Sequence, residues 1–305
     1  MFVGQGPLTL EKRAGAMSDG LMIANLIRET VATHRAVSGL ATTPAEALAL
    51  NAEEKRVVFM GIENGYTIGR NLDLMKIYYD PGVRYFGVTH TKNNDLGDSS
   101  TDAAGNVFMG LSDLGRAAVD ECKRLGIMVD VSHASDKTTW DILERAKALV
   151  IASHSGCDGE YPHPRNMNDA LLKEMAARQG VVQMNMFRGY MTDVEPDEAR
   201  SAAFKEWMIK YRSGRELTPQ EAEESLIVRI AIEKDYPKSL SSVGVVVDYI
   251  DHMVEVMGID HAGLSGDFDG RAGGPCQRRE GDDEHHHRDA PPRLCGRRSG
   301  QVLGR

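Results

Sequence analysis

The chain is expected to be an α/β protein of the TIM-type (β/α)8 barrel class, incomplete because its first strand is absent and its last helix is not in evidence. Three observations carry that expectation. Apolar, β-branched runs alternate with helical segments along most of the 305 residues, the alternation that builds a parallel sheet. Several of those runs finish on a histidine or a carboxylate, the end at which a barrel places its chemistry. Glycine, at 31 of 305 residues, exceeds the usual share of about 7 % and supplies the many βα turns such a fold requires.

Taken in order, Met1–Gly6 reads as the last residues of a strand followed by a turn. From Leu21, the residues Ile23, Leu26, Ile27, Thr30 and Val31 share one helical face, and Thr43-Pro-Ala-Glu46 is a capping box with proline at the first helical position. Arg56–Glu63 is a buried-type strand that ends on Glu63. A helix marked by Leu72, Leu74, Met75 and Ile77 leads to a strand, Gly82–His90, that ends on His90. The polar run from Thr91 to Gly105 is a long loop of the kind that shapes a mouth over a barrel. Ser112 or Asp113 opens a helix that closes near Gly126.

The two runs Ile127–His133 and Leu149–His154 flank a helical segment, Ala134–Ala148, and each delivers a histidine at its carboxyl end. In a parallel βαβ unit those ends lie side by side, so His133 and His154 come within reach of one ion. A single histidine of this kind is usually a hydrogen-bonded core residue; two in register point to a divalent metal, for which neutral imidazole is a directional ligand. Glu63 is the third candidate ligand.

Beyond His154, Tyr161-Pro-His-Pro-Arg-Asn166 is too proline-rich for a helix, a helix spans about Asp169 to Gly180, and Val181–Asn185 is a strand. Residues 193–239 read as an inserted pair of amphipathic helices, the second opened by the capping box Thr218-Pro-Gln-Glu221. A helix around Val245–Met257 precedes a short strand that ends in an acidic, glycine-flanked turn at Asp267. Strand ends near Gly4, Glu63, His90, His133, His154, Asn185 and Asp267 number seven, where a closed barrel needs eight. After Gly270 the character changes: eight arginines appear without a lysine and no apolar period survives, as in an out-of-frame reading of a GC-rich gene. Residues 1–270 are thus expected to form the barrel domain and 271–305 an aberrant Arg-rich tail without fixed structure, in which His285–His287 is a poor metal tract because nothing orients the rings.

The formal charge of −9 argues against a nucleic-acid partner, which would require a basic stripe. No apolar run approaches the 18 or so residues of a bilayer span, and the first residues lack an export signal. As written, the chain is expected in the cytoplasm, with a periplasmic or exported location left open to any signal upstream of Met1. Cys122, Cys157, Cys276 and Cys295 are too widely spaced for a thiolate metal site or a disulfide framework.

Six motifs fall in one family's order: Gly61-Ile-Glu-Asn-Gly65, Gly82-Val-Arg-Tyr85 leading to Thr89-His90, Asp130-Val-Ser-His133, Ala152-Ser-His154, Arg165-Asn166 and Gly266-Asp-Phe-Asp-Gly270. With them the chain resembles the membrane (renal) dipeptidase family, zinc peptidases of the amidohydrolase superfamily built on a (β/α)8 barrel. The resemblance implies two Zn2+ ions, with Glu63 bridging them and His133 and His154 completing the coordination of one. It further implies that His90 stabilises the oxyanion, that Arg165 grips the terminal carboxylate of a dipeptide substrate, and that Asp267 manages the proton of the attacking water. The family holds its second zinc with a His-x-Asp pair at the end of the first strand. Here the only such pair is His287-Arg-Asp289, in the tail, so the chain retains ligands mainly for one zinc and is expected to be impaired. Two alternatives stand beside the dipeptidase: a non-catalytic barrel that binds dipeptides or carboxylates, and an amidohydrolase acting on lactams or esters. The family often pairs, which makes a homodimer a candidate assembly.

Overall fold

Parallel strands and covering helices alternate as expected in the computed structural model, which describes residues 1–147, 149–193, 197–211, 217–237 and 242–267. Helix α1 (Leu10–Thr33) is followed by β1 (Ser38–Leu40), the capping-box helix α2 (Pro44–Ala52), β2 (Arg56–Val58) and β3 (Met60–Ile62). Then come α3 (Asp73–Tyr79), β4 (Val83–Gly87), α4 (Asp113–Leu125), β5 (Met128–Asp130), α5 (Asp136–Arg145) and β6 (Val150–Cys157). The chain continues through β7 (Asn166–Met167), α6 (Asp169–Ala177), β8 (Val181–Asn185), α7 (Glu198–Tyr211), α8 (Pro219–Asp235), α9 (Val243–Met257) and β9 (Ala262–Ser265).

The strands pair in the order β3-β4-β5-β6-β8-β9, every pair parallel, with β7 beside β6. Phe2 adds a single parallel bridge to Glu63 on the far edge of β3, so the opening segment reaches the sheet as expected but as one bridge. A strand or bridge lies at or shortly before each of the seven expected ends, although β4 stops at Gly87, three residues short of His90. Among the described residues no ladder joins β9 to the Met1–Phe2 side. One core, including Met60, Phe86, Val129, Ala152, Val182 and Met184, fills the space between the strands and the helices outside them.

Four expectations need correction, each for a local reason. Arg56–Glu63 is not one strand: β2 pairs with β1 in a separate two-stranded sheet, whereas β3 pairs with β4, and the break falls at Phe59. The strand before His133 stops at Asp130, because the Asp130 side chain accepts the Ser132 amide in an Asx turn that takes the backbone out of the ladder. The strand carrying His154 runs on to Cys157, because its second half pairs with both β7 and β8. Helices α7 and α8 do form, the latter on its capping box, yet their apolar residues do not gather in one stripe: Met208, Ile209, Leu226, Ile227 and Ile230 are exposed.

No helix among the described residues is long and apolar enough to cross a membrane. Cys122 and Cys157 are buried free thiols. The Arg-rich tail, with its His285–His287 tract, the His287-Arg-Asp289 pair, Cys276 and Cys295, lies outside the described residues.

Candidate metal centre

Each ligand candidate is delivered by a different backbone device. Glu63 is the first residue past β3. His133 stands three residues past β5, after the Asx turn, with its own backbone in the left-handed region at φ 70°. His154 lies inside β6 at a register shift, where Ala152 pairs with Val182 and Ser155 with Met184. Three residues on β6 therefore span the distance of two on β8, and such a bulge re-aims the side chain it carries.

The outcome is convergence. Glu63 Oε1 lies 3.1 Å from His133 Nε2 and 3.1 Å from His154 Nε2, and the two ring nitrogens are 2.9 Å apart. His90 Nε2 is 3.6 Å from the same carboxylate oxygen, and its ring packs 4.0 Å from that of His133. Glu63, His90 and His133 each offer a ligand atom within 4.8 Å of the others. Two overlapping ligand sets therefore share Glu63 and His133, with His154 or His90 as third member.

The electrostatics suit a cation. Burial, followed by the positive charge of Arg165, pushes His133 well below the ordinary imidazole value and so favours the neutral ring that a metal needs. Burial likewise lowers His90, against the pull of Glu63. Burial opposes ionisation of Glu63, but the His133 and His154 rings beside it outweigh burial and hold the carboxyl well below its usual range. Two neutral imidazoles and a carboxylate oxygen make up a zinc-type donor set, and the buried His133 Nδ1 has no hydrogen-bond partner among the described residues.

Arg165 is buried behind this cluster, where its Nη2 donates to the His154 carbonyl at 2.9 Å. Its Nε finds no acceptor. The proline-rich run that carries it is tied in place by Asn166, whose Nδ2 donates to the carbonyls of Tyr161 and Tyr190 at 2.8 and 2.7 Å. The Arg165 guanidinium sits 5.4 Å from the Tyr190 ring centre, and Tyr190 itself packs against His163 and Phe187. This aromatic wall had not been expected from the sequence, although the Tyr-Pro-His-Pro spacing beside Arg165 was the signal available. Asp267, at φ 46° two residues past β9, accepts a hydrogen bond from Asn185 Nδ2 at 3.3 Å. It lines, with Glu63, His154, Tyr85, Asp130 and Gln183, a cavity of about 430 Å³. The structure thus brings Glu63, His90, His133 and His154 together, sets Arg165 one hydrogen bond behind them and places Asp267 on the same cavity.

Comparison with known proteins agrees with this geometry. The chain is 31% identical over 211 residues to the dipeptidase tcpJ of Claviceps purpurea, covering 69% of this chain and 39% of that protein. It is 30% identical over 232 residues to the dipeptidase verJ of Clonostachys rogersoniana, covering 76% of this chain and 48% of the relative. The chain thus spans less than half the length of either. Its structure is similar to that of the probable dipeptidase PvdM from Pseudomonas aeruginosa, with a TM-score of 0.66 and 26% identity over 82% of this chain and 67% of that one. A metallo peptidase from Rhodobacter sphaeroides, liganded with a phosphinate mimic of L-Ala-D-Ala, shares the fold at a TM-score of 0.63 and 22% identity, over 83% of this chain and 61% of that one. The model of the family described as membrane dipeptidase, peptidase family M19, matches residues 5–278. With nine-tenths of its length matched by that family and a shared fold, the chain belongs to the membrane dipeptidase family.

Proposed function

We propose that Glu63, His133 and His154 hold a zinc ion and that the protein uses it to hydrolyse dipeptides. The observation that carries this reading is the approach of two imidazole nitrogens and a carboxylate oxygen to within 3.1 Å of one another at one rim of a parallel sheet. His154 is preferred to His90 as third ligand because its Nε2 is nearer to Glu63 Oε1, 3.1 against 3.6 Å. When bound, a zinc ion polarises a carbonyl and lowers the pKa of water toward neutrality.

The chain's own groups supply the rest. His90, left beside the cluster, can donate from Nε2 to an oxyanion. Arg165, with an unpartnered buried Nε, offers a planar donor set that matches a substrate carboxylate and confers a preference for free dipeptides. Asp267, steadied by Asn185, can take and return a proton on the cavity wall.

Zinc titration calorimetry combined with a hydrolysis panel tests the proposal. Wild type is expected to bind zinc and cleave free dipeptides in preference to C-amidated ones, and Glu63→Gln is expected to lose both properties. Absence of zinc binding would overturn the metal reading, binding of a dipeptide without turnover would favour a binding module, and preference for esters or lactams would move the reaction class. The homodimer implied by the family resemblance is read by sedimentation velocity on the same samples.

A further inference from the structure

We propose that Asp130 and Ser153 are positioning residues that fix the tautomer of His154, keeping its Nε2 bare toward Glu63. The affinity part of this inference rests on the metal reading above, whereas the tautomer part stands on hydrogen bonds alone.

Asp130 is buried at the end of β5. Its Oδ1 accepts the backbone amides of Ser132 and Ser153, each at 3.0 Å, and its Oδ2 accepts the Ser153 hydroxyl at 2.5 Å. A serine hydroxyl has one proton to give. With that proton committed to Asp130, Ser153 Oγ can only accept from His154 Nδ1, which lies 2.8 Å away. The ring proton therefore resides on Nδ1, and Nε2 presents its lone pair.

That lone pair faces Glu63 Oε1 at 3.1 Å and His133 Nε2 at 2.9 Å, so it can be met either by a proton on His133 Nε2 or by a cation held among the three atoms. The remaining polar atoms of His154 are also engaged: its amide donates to Ser132 Oγ at 3.0 Å, and its carbonyl accepts from Arg165 Nη2 at 2.9 Å. His133 offers the contrast. Its Nδ1 has no partner, so no hydrogen bond prescribes its tautomer, and its Nε2 is free to carry the proton that Glu63 accepts. The bulge in β6 explains how adjacent residues serve one site, because it lets Ser153 meet Asp130 while His154 meets Glu63.

Long-range proton–nitrogen NMR on the full chain labelled with nitrogen-15 in its histidine rings reads the tautomers directly. Wild-type His154 is expected to show a protonated Nδ1 both with and without zinc. In Ser153→Ala the anchor is gone, and the signal should move toward the averaged position of an unconstrained ring. Asp130→Asn should go further. With its amide oxygen held by the two backbone N–H groups, its Nδ2 replaces Oδ2 and donates to Ser153, which turns the hydroxyl proton onto His154 Nδ1 and moves the ring proton to Nε2. Chelator competition should show zinc affinity falling about 10–100-fold in both variants. Ser153→Thr, which keeps a hydroxyl, should restore tautomer and affinity together. Ser132→Ala removes the acceptor of the His154 amide and a long 3.5 Å contact to Ser153 Oγ but leaves the Asp130–Ser153–His154 relay intact, and should leave the tautomer unchanged.

Circular dichroism confirms folding, and Ser153→Ala carries the test should Asp130→Asn fail to fold. A wild-type ring protonated at Nε2, or a folded Ser153→Ala protein with an unchanged His154 tautomer, would overturn the proposal. Were the tautomer shifts to appear in a protein that binds no zinc, the relay would stand and the metal reading would fall.

Discussion

The arc from β3 to β6 and the outer helices α1, α7 and α8 use their polar groups in opposite ways. In the arc, buried polar side chains such as Asp98 and Asn94 are tied to the backbone around them. Asp98, fully buried, accepts the amides of Val107, Phe108 and Gly110 at 2.9, 3.0 and 2.9 Å, and its own carbonyl accepts from Ser135 N and Thr138 Oγ1. Asn94 reaches from the Val88 carbonyl to the Leu96 amide, so the long loop after β4 is pinned from inside. On the outer helices it is the apolar residues that face solvent, Leu10, Met22 and Leu26 on α1 and Leu226, Ile227 and Ile230 on α8, while ion pairs such as Lys210–Glu224 and Arg229–Glu233 are exposed. Exposed pairs contribute little, about 0–1 kcal/mol each. The arc that carries Glu63, His90 and His133 is therefore braced by buried hydrogen bonds, whereas the outer helices rest on their caps and on partial burial.

The contrast can be broken most strongly at Asp98. Asp98→Ala leaves three loop amides without their acceptor and should cost about 3 kcal/mol or more in urea unfolding, since each buried orphaned donor carries a penalty of roughly 1–3 kcal/mol. A loss no larger than that of one exposed ion pair would erase the distinction. Next in size is Gly115→Ala in α4. A Cβ there would stand 1.9 Å from the Leu96 carbonyl oxygen, so a change that ordinarily favours a helix should here cost about 1–3 kcal/mol through overpacking. The same change at Gly15 in α1 meets nothing within 4 Å and should stabilise by about 0.5–1 kcal/mol. Opposite signs for one substitution in two helices, measured by thermal unfolding, would sharpen the comparison; equal signs would dissolve it.

What was legible in the sequence follows the same division. The βαβ unit around α5, the strand Val181–Asn185 and the capped helices α2, α4 and α8 are written in local patterns that tertiary contacts only reinforce. Gly126, in the left-handed region, closes α4 where a helix stop was expected. β1 and β7 are too short for a period, and the break at Phe59 depends on which neighbours the two halves of that run find. Glu63, His90, His133 and His154 were legible as residue types at strand ends. Their delivery was not, because His133 depends on an Asx turn and His154 on a bulge defined only by its partner strand. Asp130 was visible inside the motif Asp130-Val-Ser-His133, yet its link to Ser153 crosses 23 positions of sequence and exists only once β5 and β6 pair.

The left-handed backbone at His133 narrows how this centre can change over generations. A replacement at 133 must tolerate φ 70° and also carry a donor atom. Besides histidine, asparagine and aspartate enter that region most readily, whereas β-branched residues do not. Of these two, aspartate is the exchange that would bring in an anionic oxygen donor, and on the metal reading it would shift the preference of the centre toward harder ions. If the proposed centre holds an ion, change in its choice of ion would run through position 133, while 154, hemmed in on every polar atom, would stay as it is.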